Sequence, residues 1–185
     1  YGKQKSPHEE KIKLKEPKSI YAKSKFMATN YLINLYRKKK FPAVVLRLYQ
    51  TYGPNQDNNR LIPFVINACI KDREFPCSDG NQYRDFVYIQ DLVRSIFLSF
   101  NNSKSFGQVI NIGSGKPKKI KDIINFIVKY LNSGIPVFGK IKLRKNEIKF
   151  SYPKVNKSKN ILGWKPKINF YSGLKKTIRS YTSQT

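Results

Sequence analysis

The chain has 185 residues, 39% of them hydrophobic, with 12 Phe and 12 Tyr, so its composition excludes an intrinsically disordered protein. Basic residues outnumber acidic residues 37 to 11, which gives a formal net charge of +26. Because the basic side chains are mostly Lys, are scattered from Lys3 to Lys176 and form no nucleic-acid-binding signature, we expect no specific nucleic-acid partner, although the charge would attract a phosphate-bearing substrate.

The front of the chain predicts a loop, a helix and a buried strand, in that order. Residues 1–16 are polar and charged and predict the loop. From Ser19 to about Lys38, residues at spacings of three and four define one face of a helix. The members of this face are Tyr21, Lys25, Ala28, Leu32 and Leu35. The apolar run 43–49 is typical of a strand covered on both sides in a parallel sheet, and a helix followed by such a strand indicates an α/β fold.

The middle of the chain combines turns, short strands and two helices. The segment 53–59 is rich in Gly, Pro, Asn and Asp and predicts a surface loop at the carboxyl end of the first strand, where open α/β sheets bind ligands. A helix is predicted to begin at Pro63, and strands are predicted near 75–77 and at 86–89. Asp91 is predicted to cap the helix that follows the second of these strands.

The last third predicts a strand, a turn and two further helices. Residues 108–112 form the strand pattern, and the turn 113–115 lacks the third glycine of a dinucleotide-binding fingerprint, so we interpret it as structural rather than as a phosphate loop. The apolar face of the next helix consists of Ile120, Ile123, Ile124, Ile127 and Leu131. A turn at 162–166, in which Trp164 is predicted to be a core residue, precedes a short final helix around 173–178.

The single histidine and the two cysteines predict neither a metal site nor a disulfide framework. Cys69 and Cys77 lack metal-ligand spacing with His8 and are predicted to be buried thiols, and His8 falls in the polar loop without a predicted chemical role. No apolar run approaches the ~20 residues that a membrane span needs, and no signal peptide opens the chain. We therefore expect no metal, no membrane partner and a reducing, cytoplasmic location.

A tyrosine and a lysine four residues apart on a helix can form an acid-base pair. The side chains lie on one face, and the ammonium group stabilises a tyrosinate that can exchange a proton with a substrate hydroxyl. This spacing occurs at Tyr1/Lys5, Tyr21/Lys25, Tyr36/Lys40 and Tyr171/Lys175, so in a lysine-rich chain the spacing alone proves nothing. We select Tyr21 and Lys25 because they stand near the start of a helix that precedes a buried strand and a turn-rich loop.

Five segments, in chain order, resemble the motifs of one enzyme family. They are Tyr-Ala-Lys-Ser-Lys at 21–25, Leu-Arg-Leu-Tyr-Gln-Thr-Tyr-Gly-Pro at 46–54, Arg-Asp-Phe-Val-Tyr at 84–88 with Asp91, Asn-Ile-Gly-Ser-Gly at 111–115 and Leu-Gly-Trp-Lys-Pro at 162–166. Together they resemble the rear half of NAD-dependent nucleotide-sugar epimerases and 4,6-dehydratases of the extended short-chain dehydrogenase/reductase family. The resemblance implies an incomplete Rossmann-like parallel sheet in residues 1–60 and a smaller α/β nucleotide-sugar-binding lobe in residues 61–185, with 84–101 returning to the first domain.

The resemblance also implies roles for individual residues near the predicted reaction centre. Tyr21 would be the catalytic acid/base, Lys25 would bind the nicotinamide ribose and tune Tyr21, and the backbone around Leu48 would border the nicotinamide. Tyr49 and Gln50 would face the substrate, although the family usually has Asn at the position of Gln50.

Four further residues are implied to bind the nucleotide part of the substrate. Arg60 and Leu61 fall where family members approach the nucleotide, and Phe75 lies in a short strand that lines the base. Arg84 is favoured as the phosphate ligand because a guanidinium group binds phosphate in a bidentate way. The alternatives for Arg84 are a surface position or an ion pair with Asp85.

The sequence contains no Gly-x-x-Gly-x-x-Gly loop, and Tyr1-Gly2 resembles the end of a strand-and-turn motif whose preceding residues include the catalytic Ser or Thr in the family. The chain is therefore expected to be a fragment of an epimerase, dehydratase or ketoreductase that is inactive alone. The alternatives are a non-catalytic nucleotide-sugar-binding lobe and a basic nucleic-acid binder. The expected ligands are a nucleotide-diphosphate sugar and NAD, which the sequence does not distinguish from NADP, and the resemblance suggests a homodimer.

Overall fold

A computed structural model describes residues 4–12, 17 and 19–183 of the chain. Its helices are α1 (Ile20–Lys39), α2 (Leu61–Ile70), α3 (Ile89–Phe100), α4 (Ile120–Leu131), α5 (Asn156–Leu162) and α6 (Phe170–Thr182). Its strands are β1 (Val45–Leu48), β2 (Gln50–Tyr52), β3 (Glu74–Pro76), β4 (Tyr83–Arg84), β5 (Phe86–Tyr88), β6 (Val109–Ile112), β7 (Lys118–Lys119), β8 (Ile135–Val137) and β9 (Phe150–Ser151). The Tyr1-Gly2 motif and residues 13–16 of the predicted loop lie outside the described residues.

The strand predicted at 43–49 changes its hydrogen-bonding partner at Tyr49. β1 pairs in parallel with β6, and β2 pairs in parallel with β5. Between them, the Tyr49 N–H donates to the Ile112 carbonyl at 3.1 Å, whereas the Gln50 N–H donates to the Asp85 carbonyl at 3.0 Å. These parallel pairs confirm the predicted α/β fold, and the change of partner brings the ends of β1 and β6 close to the beginning of β5.

Two smaller sheets complete the architecture. β3 pairs in parallel with β8, while β4 lies between the antiparallel β7 and the parallel β9. An isolated bridge also joins His8 to Pro153. The segment that precedes α1 is therefore attached to the last third of the chain.

Buried side chains form two clusters. The first contains the apolar faces of α2, α4 and α6, packed against residues such as Tyr52 and Phe75. The isoleucine face predicted for α4 is confirmed, since Ile120, Ile123, Ile124 and Ile127 are all buried there. The second cluster surrounds Trp164, which is 1% exposed and donates its Nε1–H to the Asp91 carbonyl at 2.9 Å, so its predicted core position is also confirmed.

The predicted return of residues 84–101 to the first domain stays a prediction. In this range, Val87 and Leu92 belong to the second cluster, against which Leu46 of β1 packs. Strand β6 and Trp164 belong to the same cluster. The packing unit around β1 therefore includes residues well beyond 101.

The helix predicted from Ser19 to about Lys38 is present as α1, and none of its residues is buried in the described structure. Ser19 is its N-cap, and its Oγ accepts a hydrogen bond from the Ala22 N–H at 3.2 Å. Several of its large apolar side chains lie in solvent, with Ile20 89%, Met27 66% and Tyr31 66% exposed. A second uncovered stripe follows helical spacing on α3 and consists of Val93, Ile96, Phe97 and Phe100.

Two predicted helix starts require correction. α2 begins at Leu61 with Arg60 as its N-cap, so Pro63 is the third helical residue, where its missing N–H costs no intrahelical hydrogen bond. The predicted capping role of Asp91 is wrong, because the N-cap of α3 is Tyr88 and Asp91 lies buried inside the first turn. The sequence pattern could not show which backbone groups Asp91 binds, since Lys167 and Ile168, whose N–H groups donate to its carboxylate, lie more than 70 residues further along the chain.

Cys69 and Cys77 are buried free thiols, as predicted. Burial raises the pKa of Cys69 to about 11 and also raises the pKa of Cys77. Among the described residues, no helix combines the length and the apolar character needed to cross a bilayer.

Candidate functional site

A cavity of about 640 Å³ opens where the chain leaves β1 for β2. Six of the residues that the sequence predicts for the site line it, namely Tyr21, Leu48, Tyr49, Gln50, Arg60 and Arg84. Leu48 is the last residue of β1 and is 51% exposed, while Gln50 opens β2. The cavity thus lies at the carboxyl end of a parallel strand, where open α/β sheets bind ligands.

Tyr21 lines this cavity from the first turn of α1, whereas Lys25, one turn further along the helix, is not among the described residues that line it. The Lys25 Nζ is 5.6 Å from the centroid of the Tyr21 ring, and the Tyr21 side chain is 73% exposed. Tyr36 and Lys40 show the same 5.6 Å contact, so the pair geometry does not distinguish the two sites. The cavity does distinguish them, because Tyr21 lines it whereas the Tyr36 ring packs on Gly107, where an added Cβ would lie 2.0 Å from the ring.

Arg84 faces the cavity from β4 and forms an ion pair with Glu147. Its guanidinium group also donates to its neighbour's carbonyl, that of Tyr83, at 2.8 Å. The arginine side chain is 15% exposed and that of Glu147 is 29% exposed, so ligand atoms can still reach the pair. The structure thus corrects the alternative of an ion pair with Asp85: the partner of Arg84 is Glu147.

Asp85 is fully buried and its carboxylate binds the Gly-Ser-Gly turn that follows β6. Its two oxygens accept hydrogen bonds from the Ser114 N–H at 2.7 Å and the Gly115 N–H at 2.6 Å. Burial raises the pKa of Asp85, and these N–H donors act in the opposite direction. Because a carboxylate of the protein occupies the N–H groups that a phosphate would need, the structural role predicted for this turn is confirmed.

A smaller cavity of about 150 Å³ adjoins the first. Gln50, Arg60 and Arg84 line both cavities, and Leu61 lines the smaller one. Phe75, the remaining predicted site residue, is 3% exposed in the first core cluster and packs edge-to-face on Phe64. The described residues that line the two cavities do not include Phe75, so its contact with a base stays a prediction.

His8 is a cavity residue that the sequence analysis did not predict for the site. The sequence placed it in a polar loop, but its side chain is 2% exposed and its Nδ1 lies 2.8 Å from the Tyr49 hydroxyl oxygen. The backbone N–H of His8 donates to the Tyr152 carbonyl at 2.9 Å, and the His8 carbonyl accepts from the Asn111 side-chain amide at 3.0 Å. No local pattern signals this burial, because these partners lie more than 40 residues away in the sequence.

Comparison with known proteins identifies the family. Residues 1–113 match the sequence profile described as the NAD dependent epimerase/dehydratase family. The chain belongs to the NAD-dependent epimerase/dehydratase family. The matched region includes the cavity residues from His8 to Arg84, whereas Glu147, the ion-pair partner of Arg84, lies outside it.

Two curated relatives of the chain are about twice as long as the regions that match it. The chain is 30% identical over 142 residues to CDP-abequose synthase from Salmonella typhimurium, which covers 74% of this chain and 47% of the relative. It is 29% identical over 181 residues to dTDP-glucose 4,6-dehydratase 1 from Escherichia coli, covering 91% of this chain and 49% of that enzyme. The chain therefore spans about half the length of the curated relatives it matches.

A solved structure of the epimerase/dehydratase fold matches the whole chain. The UDP-glucuronic acid 4-epimerase of Bacillus cereus, in complex with UDP-glucuronic acid and NAD, superimposes with a TM-score of 0.88 at 26% sequence identity. The match covers 100% of this chain and 59% of the epimerase. It confirms the expected Rossmann-like fold class.

Proposed function

We propose that this chain is the rear part of an NAD-dependent nucleotide-sugar epimerase or dehydratase. The observation that carries the proposal is the cavity at the end of β1, because Tyr21 and Arg84 both line it. A phenol for proton transfer and a guanidinium group for phosphate are the two chemistries that redox reactions of a nucleotide-diphosphate sugar require. The family match and the NAD and UDP-glucuronic acid named for the Bacillus cereus structure support it.

In the proposed mechanism, Tyr21 exchanges a proton with a sugar hydroxyl. Its exposed side chain borders the cavity, and the Lys25 Nζ lies 5.6 Å from the centroid of its ring. Removing the hydroxyl proton assists oxidation of the attached carbon to a ketone. The result is a 4-keto sugar that an epimerase reduces again and a dehydratase converts further.

The phosphate end of the substrate is proposed to bind on the other side of the cavity. Gln50, Arg60 and Arg84 line both the large and the small cavity, so they can contact a diphosphate that passes between them. Gln50 supplies amide donors in place of the family's usual Asn, and Tyr49 beside it faces the sugar. Leu61 would contact the nucleoside in the small cavity.

NAD would supply the acceptor for the sugar hydride. The residues of this chain suit its nicotinamide end, since Leu48 presents a half-exposed apolar side chain at the end of β1, and Lys25 of α1 would donate to the ribose hydroxyls. The sequence has no glycine-rich loop to hold a pyrophosphate, so we assign only Tyr21, Lys25 and Leu48 to the cofactor. NADP would present the same nicotinamide end.

Substitution of Tyr21 by Phe tests the proposal in the full-length natural polypeptide. We expect Tyr21→Phe to lower kcat by about 100- to 10,000-fold, because it removes the group that transfers the proton. Binding of the nucleotide sugar, measured by calorimetry, should stay nearly intact. Tyr36→Phe is the matched control, since Tyr36 has the same lysine spacing and the same 5.6 Å contact but packs on Gly107. An unchanged rate for Tyr21→Phe would remove the residue from its proposed role.

A non-catalytic nucleotide-sugar-binding lobe is the second candidate. The cavity residues Gln50, Arg60 and Arg84 favour it, because they can bind a diphosphate without any redox step. The genomic sequence upstream distinguishes the two. An in-frame glycine-rich loop followed by a strand that ends in Ser or Thr supports the enzyme, and a start codon at this point supports the lobe.

A further inference from the structure

His8 is held in one tautomer by the backbone around it. Its Nε2 lies 3.1 Å from the Gln4 carbonyl oxygen, which can only accept a hydrogen bond. The ring proton therefore lies on Nε2. Burial also lowers the pKa of His8, which favours the neutral ring, and in a neutral ring protonated on Nε2 the Nδ1 atom is an acceptor.

This tautomer determines the direction of the hydrogen bond between His8 and Tyr49. Nδ1 and the Tyr49 oxygen are 2.8 Å apart, and with Nδ1 accepting, the hydroxyl of Tyr49 must donate. A hydroxyl whose hydrogen is already donated can contact a ligand only through its lone pairs. His8 and Tyr49 both line the large cavity, so the lone pairs of this oxygen are within reach of a ligand there.

We propose that His8 is a positioning residue that makes the Tyr49 hydroxyl an acceptor, so that the site selects a sugar carrying a hydroxyl group at the ring position facing Tyr49. The inference rests on the proposed function and deepens it. A hydroxyl donates to the Tyr49 oxygen, whereas a fluorine, a keto oxygen or a deoxy carbon at the same position cannot. A site built for a hydrogen bond rejects the analogue that lacks it.

The experiment uses the full-length polypeptide and calorimetry with UDP-glucose, CDP-glucose and dTDP-glucose. The nucleotide sugar that binds is then compared with its 2-, 3- and 6-deoxyfluoro analogues. At one ring position, we expect the wild-type protein to bind the fluoro analogue about 2- to 10-fold more weakly, the range for one hydrogen bond. His8→Phe should reduce that preference to less than about 2-fold, because the Tyr49 hydroxyl is then free to rotate and donate.

Two further variants show whether His8 acts through Tyr49. His8→Asn keeps an acceptor oxygen near the position of Nδ1 and should restore the preference, which also controls for damage to the fold. In a Tyr49→Phe background, His8→Phe should cause no further change in the preference, because the two residues are coupled.

The outcomes separate the two proposals. If none of the three nucleotide sugars binds the wild-type protein, the proposed function fails, and this inference fails with it. If one binds but its fluoro analogues are ranked alike by the wild-type protein and His8→Phe, the proposed function stands and the inference is overturned. An equal effect of His8→Phe with and without the Tyr49 hydroxyl would overturn it too.

Discussion

Arg84 would have two competing anionic partners in the proposed enzyme. In this structure Arg84 lines the large cavity and its guanidinium group pairs with the Glu147 carboxylate, and both side chains are partly exposed to solvent. A substrate phosphate would have to share or displace that carboxylate. Glu147 would therefore weaken phosphate binding while keeping Arg84 oriented toward the cavity.

Substitution of Glu147 by Gln tests this competition. We expect Glu147→Gln to bind UDP about 2- to 5-fold more tightly in the full-length polypeptide, because it removes the competing charge from a partly exposed ion pair. Calorimetric titration with UDP measures the effect. Glu9→Gln is the matched control, since Glu9 pairs with Lys154 at 2.8 Å on the exposed surface and should leave UDP affinity unchanged. Weaker binding by Glu147→Gln would show that the carboxylate supports the site instead.

Helix α3 is tied to the segment before α6 by one buried carboxylate. Asp91 accepts hydrogen bonds from the Lys167 N–H at 2.9 Å and the Ile168 N–H at 2.9 Å, and it pairs with Arg94 at 3.0 Å. The Asp91 carbonyl also accepts from Trp164. One residue therefore satisfies backbone groups of a connecting segment that forms no helix or strand of its own.

Substitution of Asp91 by Ala should destabilise the fold. We expect a loss of about 2–4 kcal/mol in the free energy of unfolding, because two backbone N–H groups lose their acceptor and the largely buried guanidinium group of Arg94 loses its ion-pair partner. Urea denaturation measures it. Asp122→Ala is the control, since Asp122 also lies in the first turn of a helix but is exposed, and it should change stability by less than about 0.5 kcal/mol. Equal effects of the two substitutions would contradict the role of Asp91.

Elements with a strong local pattern were predictable from the sequence. The isoleucine spacing predicted α4, and the apolar run at 43–49 predicted β1, because burial of one face or of a whole strand leaves a period in the sequence. The two-residue strands β7 and β9 and the helix α5 have no such period and were not predicted. Their positions depend on pairing with distant strands or on packing.

Some residues of the candidate site could likewise be predicted from local sequence, and others could not. Tyr21 and Arg84 could be predicted because they belong to ordered motifs, and the structure places both at one cavity. The burial of His8 and the pairing of Arg84 with Glu147 depend on contacts across more than 40 residues and leave no trace in local spacing.

The whole chain covers only part of what the proposed reaction needs. It matches about half the length of its curated relatives, and its sequence contains no glycine-rich phosphate loop. Its cavity instead provides candidate groups for the sugar, the diphosphate and the nicotinamide. This sequence thus contains candidate residues for the substrate and for the nicotinamide end of the cofactor, but none for the cofactor's pyrophosphate.

The 185 residues expressed alone should show no turnover. We expect no product from UDP-glucose, CDP-glucose or dTDP-glucose, and NAD binding weaker than about 1 mM, because this sequence contains no glycine-rich loop to hold the pyrophosphate. Product analysis by chromatography and a titration with NAD measure both quantities. The full-length polypeptide serves as the positive control, and measurable turnover by the short chain would contradict the prediction.

The uncovered surface of α1 has a consequence for handling the short chain. Two opposing forces govern encounters between copies: attraction between bare aliphatic and aromatic groups such as Ile20 and Met27, and repulsion from a formal charge of +26. Added electrolyte shortens the range of the repulsion to about 10 Å at 0.1 M and leaves the attraction in place. Dilute buffers should therefore keep the molecules apart, and turbidity should rise as sodium chloride is added.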